Sequence, residues 1–315
     1  MGKSTATTDD QNAGDGAGTG APAGMGGGVE GQGPRELVCS EVWGGNRFVE
    51  TEVKLPGMTG WVYSRPCGGP RGGDVHYLST CSAGLMTRAC LADVVGHGEQ
   101  VAQMSGWIHR LLGKHMNNPD PNLVLEALNR QAVDAGFEAM TTAALICYYA
   151  PRGLLRYGYA GHPRALHYRA VADEWQPLAE GDDSDLDGSE ERGGRQANIP
   201  LGVQKDVGFD LGMSTLEEGD RVVIFSDGVL ETPRPDGALF STDRLVEVLR
   251  THGRSSAKEL GRALVEALYE FAGSRKLTHD DVSFIILDAG PRPRGPAIWH
   301  LVRNQTRRLI RKLRG

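Results

Sequence analysis

What most constrains the fold is the order in which hydrophobic patterns arrive along the chain. Short runs rich in β-branched and aromatic residues follow one another directly, while stretches with apolar residues three or four apart come in consecutive pairs. Residues 61–64, 75–80, 88–95, 142–150, 154–160, 165–170, 221–225 and 282–287 read as strands. Four helices fall between them. The first aligns Val101, Met104, Ile108, Leu111 and Leu112, and the second opens on Asp120-Pro121, a cap followed by a first-turn proline, and closes at Gly136. The third spans 242–250; the fourth carries Leu260, Leu264, Leu268 and Phe271 and stops at Gly273. A parallel α/β sheet requires strand and helix to alternate. This order instead predicts an α+β fold with antiparallel sheets and segregated helices.

Composition divides the chain. Residues 1–34 hold eleven glycines and almost nothing large and apolar, so they cannot offset the entropy of ordering and are expected to form a disordered arm. Residues 35–290 have the composition of one folded domain, interrupted at 180–194, where seven of fifteen residues are acidic; an exposed insertion is expected there. Residues 291–315 contain eight Arg or Lys and no acid, although the whole chain carries a net charge of -6. The body is therefore acidic, which argues against a nucleic-acid-binding domain. In the tail, Ile298, Val302, Leu309 and Leu313 lie near one helical face, surrounded by Arg303, Arg307, Arg308, Arg311 and Arg314. Such a basic amphipathic helix over 298–313 suits a membrane surface, the acidic insertion or an acidic partner, or is simply solvated. The chain has no run of 18 apolar residues and no apolar N-terminal stretch, so the expected location is cytoplasmic, with membrane-peripheral attachment through the tail as the variant. Five widely spaced cysteines, with no C-x-x-C pair, read as reduced thiols.

The chemistry lies in where aspartates fall relative to the strands. Asp74 precedes the strand 75–80, and Asp93 ends the run that starts at Arg88. With a tight turn near 82–85, paired residue numbers sum to about 168, which sets Asp74 almost opposite Val94 and brings both carboxylates to one sheet edge. Asp227 follows the apolar run 222–225, and Asp280 precedes the run 282–286. If those two runs are also antiparallel neighbours, four carboxylates share that edge. Close like charges raise one another's pKa, so the group needs cations to stay ionised, and oxygen-only ligation selects hard ions such as Mg²⁺ or Mn²⁺. Two such ions can turn water into a nucleophile for phosphate esters. The competing reading treats each aspartate as a turn or cap residue.

The same residues carry a resemblance. Gly72-Gly73-Asp74, Leu91-Ala92-Asp93-Val94-Val95-Gly96-His97-Gly98, Ala160-Gly161-His162-Pro163, Pro200-Leu201-Gly202, Phe225-Ser226-Asp227-Gly228-Val229 and Asp280-Asp281-Val282 occur in one order. The set resembles metal-dependent serine/threonine protein phosphatases of the PPM family, specifically the SpoIIE-like bacterial branch, from about Glu41 to Leu287. The resemblance implies an α-β-β-α sandwich of two antiparallel sheets flanked by helices. It also implies two divalent metal ions, Mn²⁺ or Mg²⁺. Asp93 would bridge both and the Val94 carbonyl would ligate one; Asp227 and Asp280 would hold the other, and Asp74 would bind partly through water. The implied reaction is hydrolysis of phosphoserine or phosphothreonine in a regulatory protein, such as an anti-sigma-factor antagonist, by a metal-bridging hydroxide. An inactive phosphoprotein-binding or scaffolding module of the same fold is the alternative.

Several neighbours depart from that pattern or compete with it. Val95 stands where some relatives carry a histidine suspected as general acid, leaving that role unfilled. His97 reads as a turn residue and His162 as a structural hydrogen-bonding group. Arg71, three residues before Asp74, is the candidate phosphate-binding side chain. Asp281 rivals Asp280 through a one-residue register error, and Asp220 reads as a structural turn residue.

Overall fold

The computed structural model describes residues 33–293 except 39, 82, 97–98, 116–117, 137–139, 179–197 and 210, and beyond them Val302 and Thr306. Almost all of the expected N-terminal arm, the acidic insertion at 180–194, His97 and most of the basic tail therefore lie outside the described residues.

Two sheets stack face to face between two helix pairs. In chain order the elements are β1 (Arg35–Glu36), β2 (Val42–Gly45), β3 (Val49–Leu55), β4 (Met58–Arg65), β5 (Val75–Thr80), β6 (Met86–Val94), α1 (Glu99–His115), α2 (Pro121–Ala135) and β7 (Thr141–Tyr149). There follow β8 (Leu154–Ala160), β9 (Leu166–Arg169), β10 (Glu174–Pro177), β11 (Gly212–Thr215), β12 (Arg221–Phe225), α3 (Asp227–Leu230), α4 (Ser241–Thr251), α5 (Ala257–Ala272) and β13 (Val282–Ala289). The first sheet runs β1-β3-β4-β13-β12-β9-β10 and the second β11-β8-β7-β6-β5-β2. Every pairing between these strands is antiparallel except β1 with β3. The α-β-β-α sandwich expected from the sequence is the architecture found.

Period-two alternation sorts the side chains into layers. Leu78, Leu91, Val222, Ile224, Ile285 and Leu287 fill the space between the sheets. Their neighbours one residue away turn outward: Tyr77, Cys90 and Ala92 pack under α1 and α2, and Val223, Phe225, Phe284 and Ile286 under α4 and α5. Side-chain caps start α2 and α5. Asp120 accepts the Asn122 N–H (3.0 Å), and Ser256 with Glu259 forms a reciprocal capping box that starts α5. Fully buried Leu260, Leu264 and Leu268 then hold α5 to its sheet, each contributing about 2 kcal/mol of transfer free energy.

Candidate metal centre

The alternation that builds the core also aims the aspartates. Leu78 faces the inter-sheet space, so two and four residues earlier His76 and Asp74 share its face; Leu91 does, so Asp93 does as well. The β5–β6 register pairs Val75 with Ala92, so partners sum to 167 and not 168. The one-residue correction places Asp74 across from Asp93 itself, not near Val94, because the turn is one residue tighter than the hairpin arithmetic assumed.

The other two carboxylates come from the opposite sheet. β12 and β13 are antiparallel neighbours, with Phe225 opposite Phe284, so Asp227 opens α3 just past one strand while Asp280 lies just before the other. The four aspartates thus do not share one sheet edge. One sheet supplies Asp74 and Asp93 and the other Asp227 and Asp280, because pairing register aligns residues within a sheet and only stacking brings the second pair over the first.

These groups repel one another. Burial first, and then the charge of Asp93, pushes the fully buried Asp74 carboxyl well above the usual carboxylate range. Burial raises Asp93 to about 7, with Asp227 and Asp280 as the next causes. Asp280 is also raised, mainly by burial, with Asp227 and Asp281 adding to it against a hydrogen bond from the Asp281 N–H. Among the described residues no Lys or Arg forms an ion pair with Asp74, Asp93, Asp227 or Asp280.

Asp281 serves a different purpose. Its carboxylate accepts the N–H groups of Cys67 (2.6 Å), Gly73 (2.5 Å) and Asp74 (3.1 Å), pinning the loop that delivers Asp74. A Cβ at Gly72 would collide with that carboxylate and one at Gly228 with the Asp281 carbonyl, so glycine is required where the two loops meet. Arg71 is exposed on the pinned loop. The Val94 carbonyl is buried against Gly73, whose added Cβ would stand 2.9 Å from its oxygen. His162 is buried, bonded through Nδ1 to Thr142 Oγ1 (2.9 Å) and held neutral, its pKa lowered to about 3 chiefly by burial. Val95 is 45% exposed.

The part played by two serines was not read from the sequence. Ser226 Oγ donates to Asp74 Oδ2 (2.9 Å) and accepts the Ser283 N–H (3.1 Å), tying the ends of the two sheets together. The available signal was a polar residue at an inward position just past an apolar strand.

A divalent-metal pair fits this donor set by chemistry. All candidate side-chain donors are carboxylate oxygens, their charges are uncompensated, and buried Asp74 Oδ1 has no hydrogen-bond partner. Among the described residues no three His, Cys, Asp or Glu side chains close into a complete ligand cage, so the fit rests on donor type and charge.

The family described as Stage II sporulation protein E (SpoIIE) matches residues 85–290, well over half of the chain. The chain belongs to the SpoIIE family. Among curated relatives, this SpoIIE-family chain is 28% identical over 201 residues to the phosphoserine phosphatase RsbU of Bacillus subtilis (strain 168), covering 62% of this chain and 54% of that protein. It thus spans about half the length of the curated relative it matches. The fold is that of solved PP2C domains. The SiaA-PP2C domain of Pseudomonas aeruginosa superposes with a TM-score of 0.58 at 20% identity, over 72% of this chain and 84% of that one. RsbX in complex with magnesium gives 0.53 at 17% identity, over 76% and 99% respectively.

Proposed function

We propose that this SpoIIE-family chain hydrolyses phosphoserine or phosphothreonine in a regulatory protein, with Asp74, Asp93, Asp227 and Asp280 holding two divalent ions. The observation that carries the reading is the facing of four uncompensated carboxylates across the mouth of the inter-sheet space. RsbU, named a phosphoserine phosphatase, supports the substrate class, and the magnesium bound to RsbX supports hard-ion binding. Mn²⁺ or Mg²⁺, when bound, supplies Lewis-acid polarisation of the phosphoryl group and lowers the pKa of water.

The chain's own groups do the placing. Asp93, at the centre of the mutual repulsion, would be shared by both ions, with the Val94 carbonyl beside it as a further donor. Asp227 and Asp280 would hold the second ion, and Asp74, its orientation set by Ser226, would bind partly through water. Arg71 stands exposed on the loop that Asp281 pins and would bind the substrate phosphate. A partner-switching regulator such as an anti-sigma-factor antagonist is the proposed substrate.

The test is hydrolysis of p-nitrophenyl phosphate and of a phosphoserine peptide with Mn²⁺, with Mg²⁺ and with chelator, in wild type and Asp227→Asn. Activity that requires metal and disappears in the variant supports the assignment. Metal-stimulated binding of a phosphoprotein without turnover would instead identify a recognition module of the same fold.

A further inference from the structure

The helix pair over the first sheet forms a groove that the carboxylate centre does not use. Val248 on α4 with Ala263 and Ala267 on α5 make a half-buried apolar floor, and exposed Glu247, Glu266 and Glu270 line its sides, in a cleft of about 450 Å³. Arg275 compensates Glu266 at 2.8 Å, whereas Glu247 and Glu270 form no ion pair among the described residues. Each side of the groove therefore carries a free carboxylate beside apolar surface. That pattern is complementary to a basic amphipathic helix.

The chain contains such a segment. Val302 and Thr306 are helical, Thr306 Oγ1 donates to the Val302 carbonyl (2.9 Å), and Val302 is 53% exposed. In the sequence, Ile298, Leu309 and Leu313 continue the face of Val302, and residues 291–315 carry eight basic side chains and no acid. β13 also ends where α4 turns into α5. Arg221 joins Asp288, near the end of β13, to the carbonyls of Gly253 (3.1 Å) and Ser255 (2.7 Å), and Gly253 adjoins His252 at the mouth of the groove.

We propose that residues 298–313 dock as a helix in the α4–α5 groove of their own chain, laying their apolar face on Val248, Ala263 and Ala267 and their arginines against Glu247 and Glu270. Sixteen helical residues span about 24 Å, the length of α5 itself. Exposed ion pairs are individually weak and screened by salt, so the docked helix is a reversible strap.

Hydrogen exchange on the full chain tests this. At low salt, amides of 300–313 and of α4 and α5 should be protected, and protection in the tail should fall about tenfold in Glu247→Arg/Glu270→Arg. Adding Arg307→Glu and Arg311→Glu to that variant should restore it, which a merely misfolded variant would not do. Absence of protection at low salt, or protection indifferent to the charge reversal, overturns the proposal. Protection that grows with protein concentration alongside a dimer in sedimentation velocity also overturns it, naming a second copy as occupant. Protection that appears only with phosphatidylglycerol vesicles does the same in favour of a membrane.

Discussion

β12 and β13 carry aspartates at both ends, and, Asp281 apart, the two ends treat them in opposite ways. At the end where β12 begins, Asp288 receives two hydrogen bonds from Arg221 (2.5 and 3.1 Å), and Asp220 accepts from the Ala170 N–H, the Glu217 N–H and His167 Nε2. Those oxygens are used by the protein itself. At the other end Asp227 and Asp280 meet Asp74 and Asp93 without a single Lys or Arg among the described ion pairs, and burial with like charge drives Asp74, Asp93 and Asp280 upward. The same residue type on the same pair of strands is thus satisfied by Arg221, backbone N–H groups and His167 at one end, and at the other leaves Asp227 and Asp280 without a Lys or Arg partner among the described residues, where the proposed metal centre lies.

Substitutions at the two ends should break that contrast in different currencies. The largest effect is expected for Asp227→Asn: metal-dependent turnover falls by about a thousandfold, or about 4 kcal/mol, while the melting temperature in chelator stays level or rises because repulsion is relieved. Thermal melts and p-nitrophenyl phosphate kinetics read both, and a destabilised variant would mean that Asp227 is structural. Next comes the neighbouring pair. Asp281→Ala leaves three loop N–H groups without their acceptor and should cost about 3 kcal/mol in urea unfolding, against under about 1 kcal/mol for Asp280→Ala. Equal costs would erase the division of labour between these two aspartates.

At the structural end, Arg221→Met should cost about 2 kcal/mol by stranding Asp288 and the carbonyls of Gly253 and Ser255, with turnover per folded molecule unchanged within about twofold. A large loss of turnover would show that the two ends are coupled. The smallest effect concerns His162, whose native pKa of about 3 lies below the unfolded value near 6.5. Between those values the unfolded chain binds the extra proton, so stability is full above about pH 7 and declines as pH falls. The loss is about 1 kcal/mol from pH 6.5 to 5.5. His162→Gln should flatten that part of a stability-against-pH curve, and an unchanged slope would place the acid sensitivity elsewhere.

Much of the fold was legible. The runs 75–80, 154–160 and 221–225 are the observed strands to the residue, and α2 and α5 end at the predicted Gly136 and Gly273. Strong apolar periodicity and capping chemistry are local, so they survive without tertiary context. The strands missed were β1, β2, β3, β10 and β11. Four of them have four residues or fewer, and β3 alternates Val49, Val53 and Leu55 with exposed Glu50 and Lys54, a pattern diluted by its charges. In the candidate centre, Asp74, Asp93, Asp227 and Asp280 were named from their places beside strands and from motif order, and the structure adds their facing across two sheets. The roles of Ser226, within a quoted motif, and Ser283, within a strand run, were not legible, since their partners are named only once the strands pair and the sheets stack.

By itself the sequence determined the layers: period-two and period-three-to-four patterns specify which faces are apolar, and hence two sheets between two helix pairs. Tertiary structure alone decided the register of 167 that sets Asp74 against Asp93, the meeting of one sheet's carboxylates with the other's, and the turning of Asp281 into a loop anchor while Asp280 faces the cluster. Those outcomes depend on long-range pairing and stacking between segments as much as 208 residues apart. No local window of sequence contains both partners of such a contact.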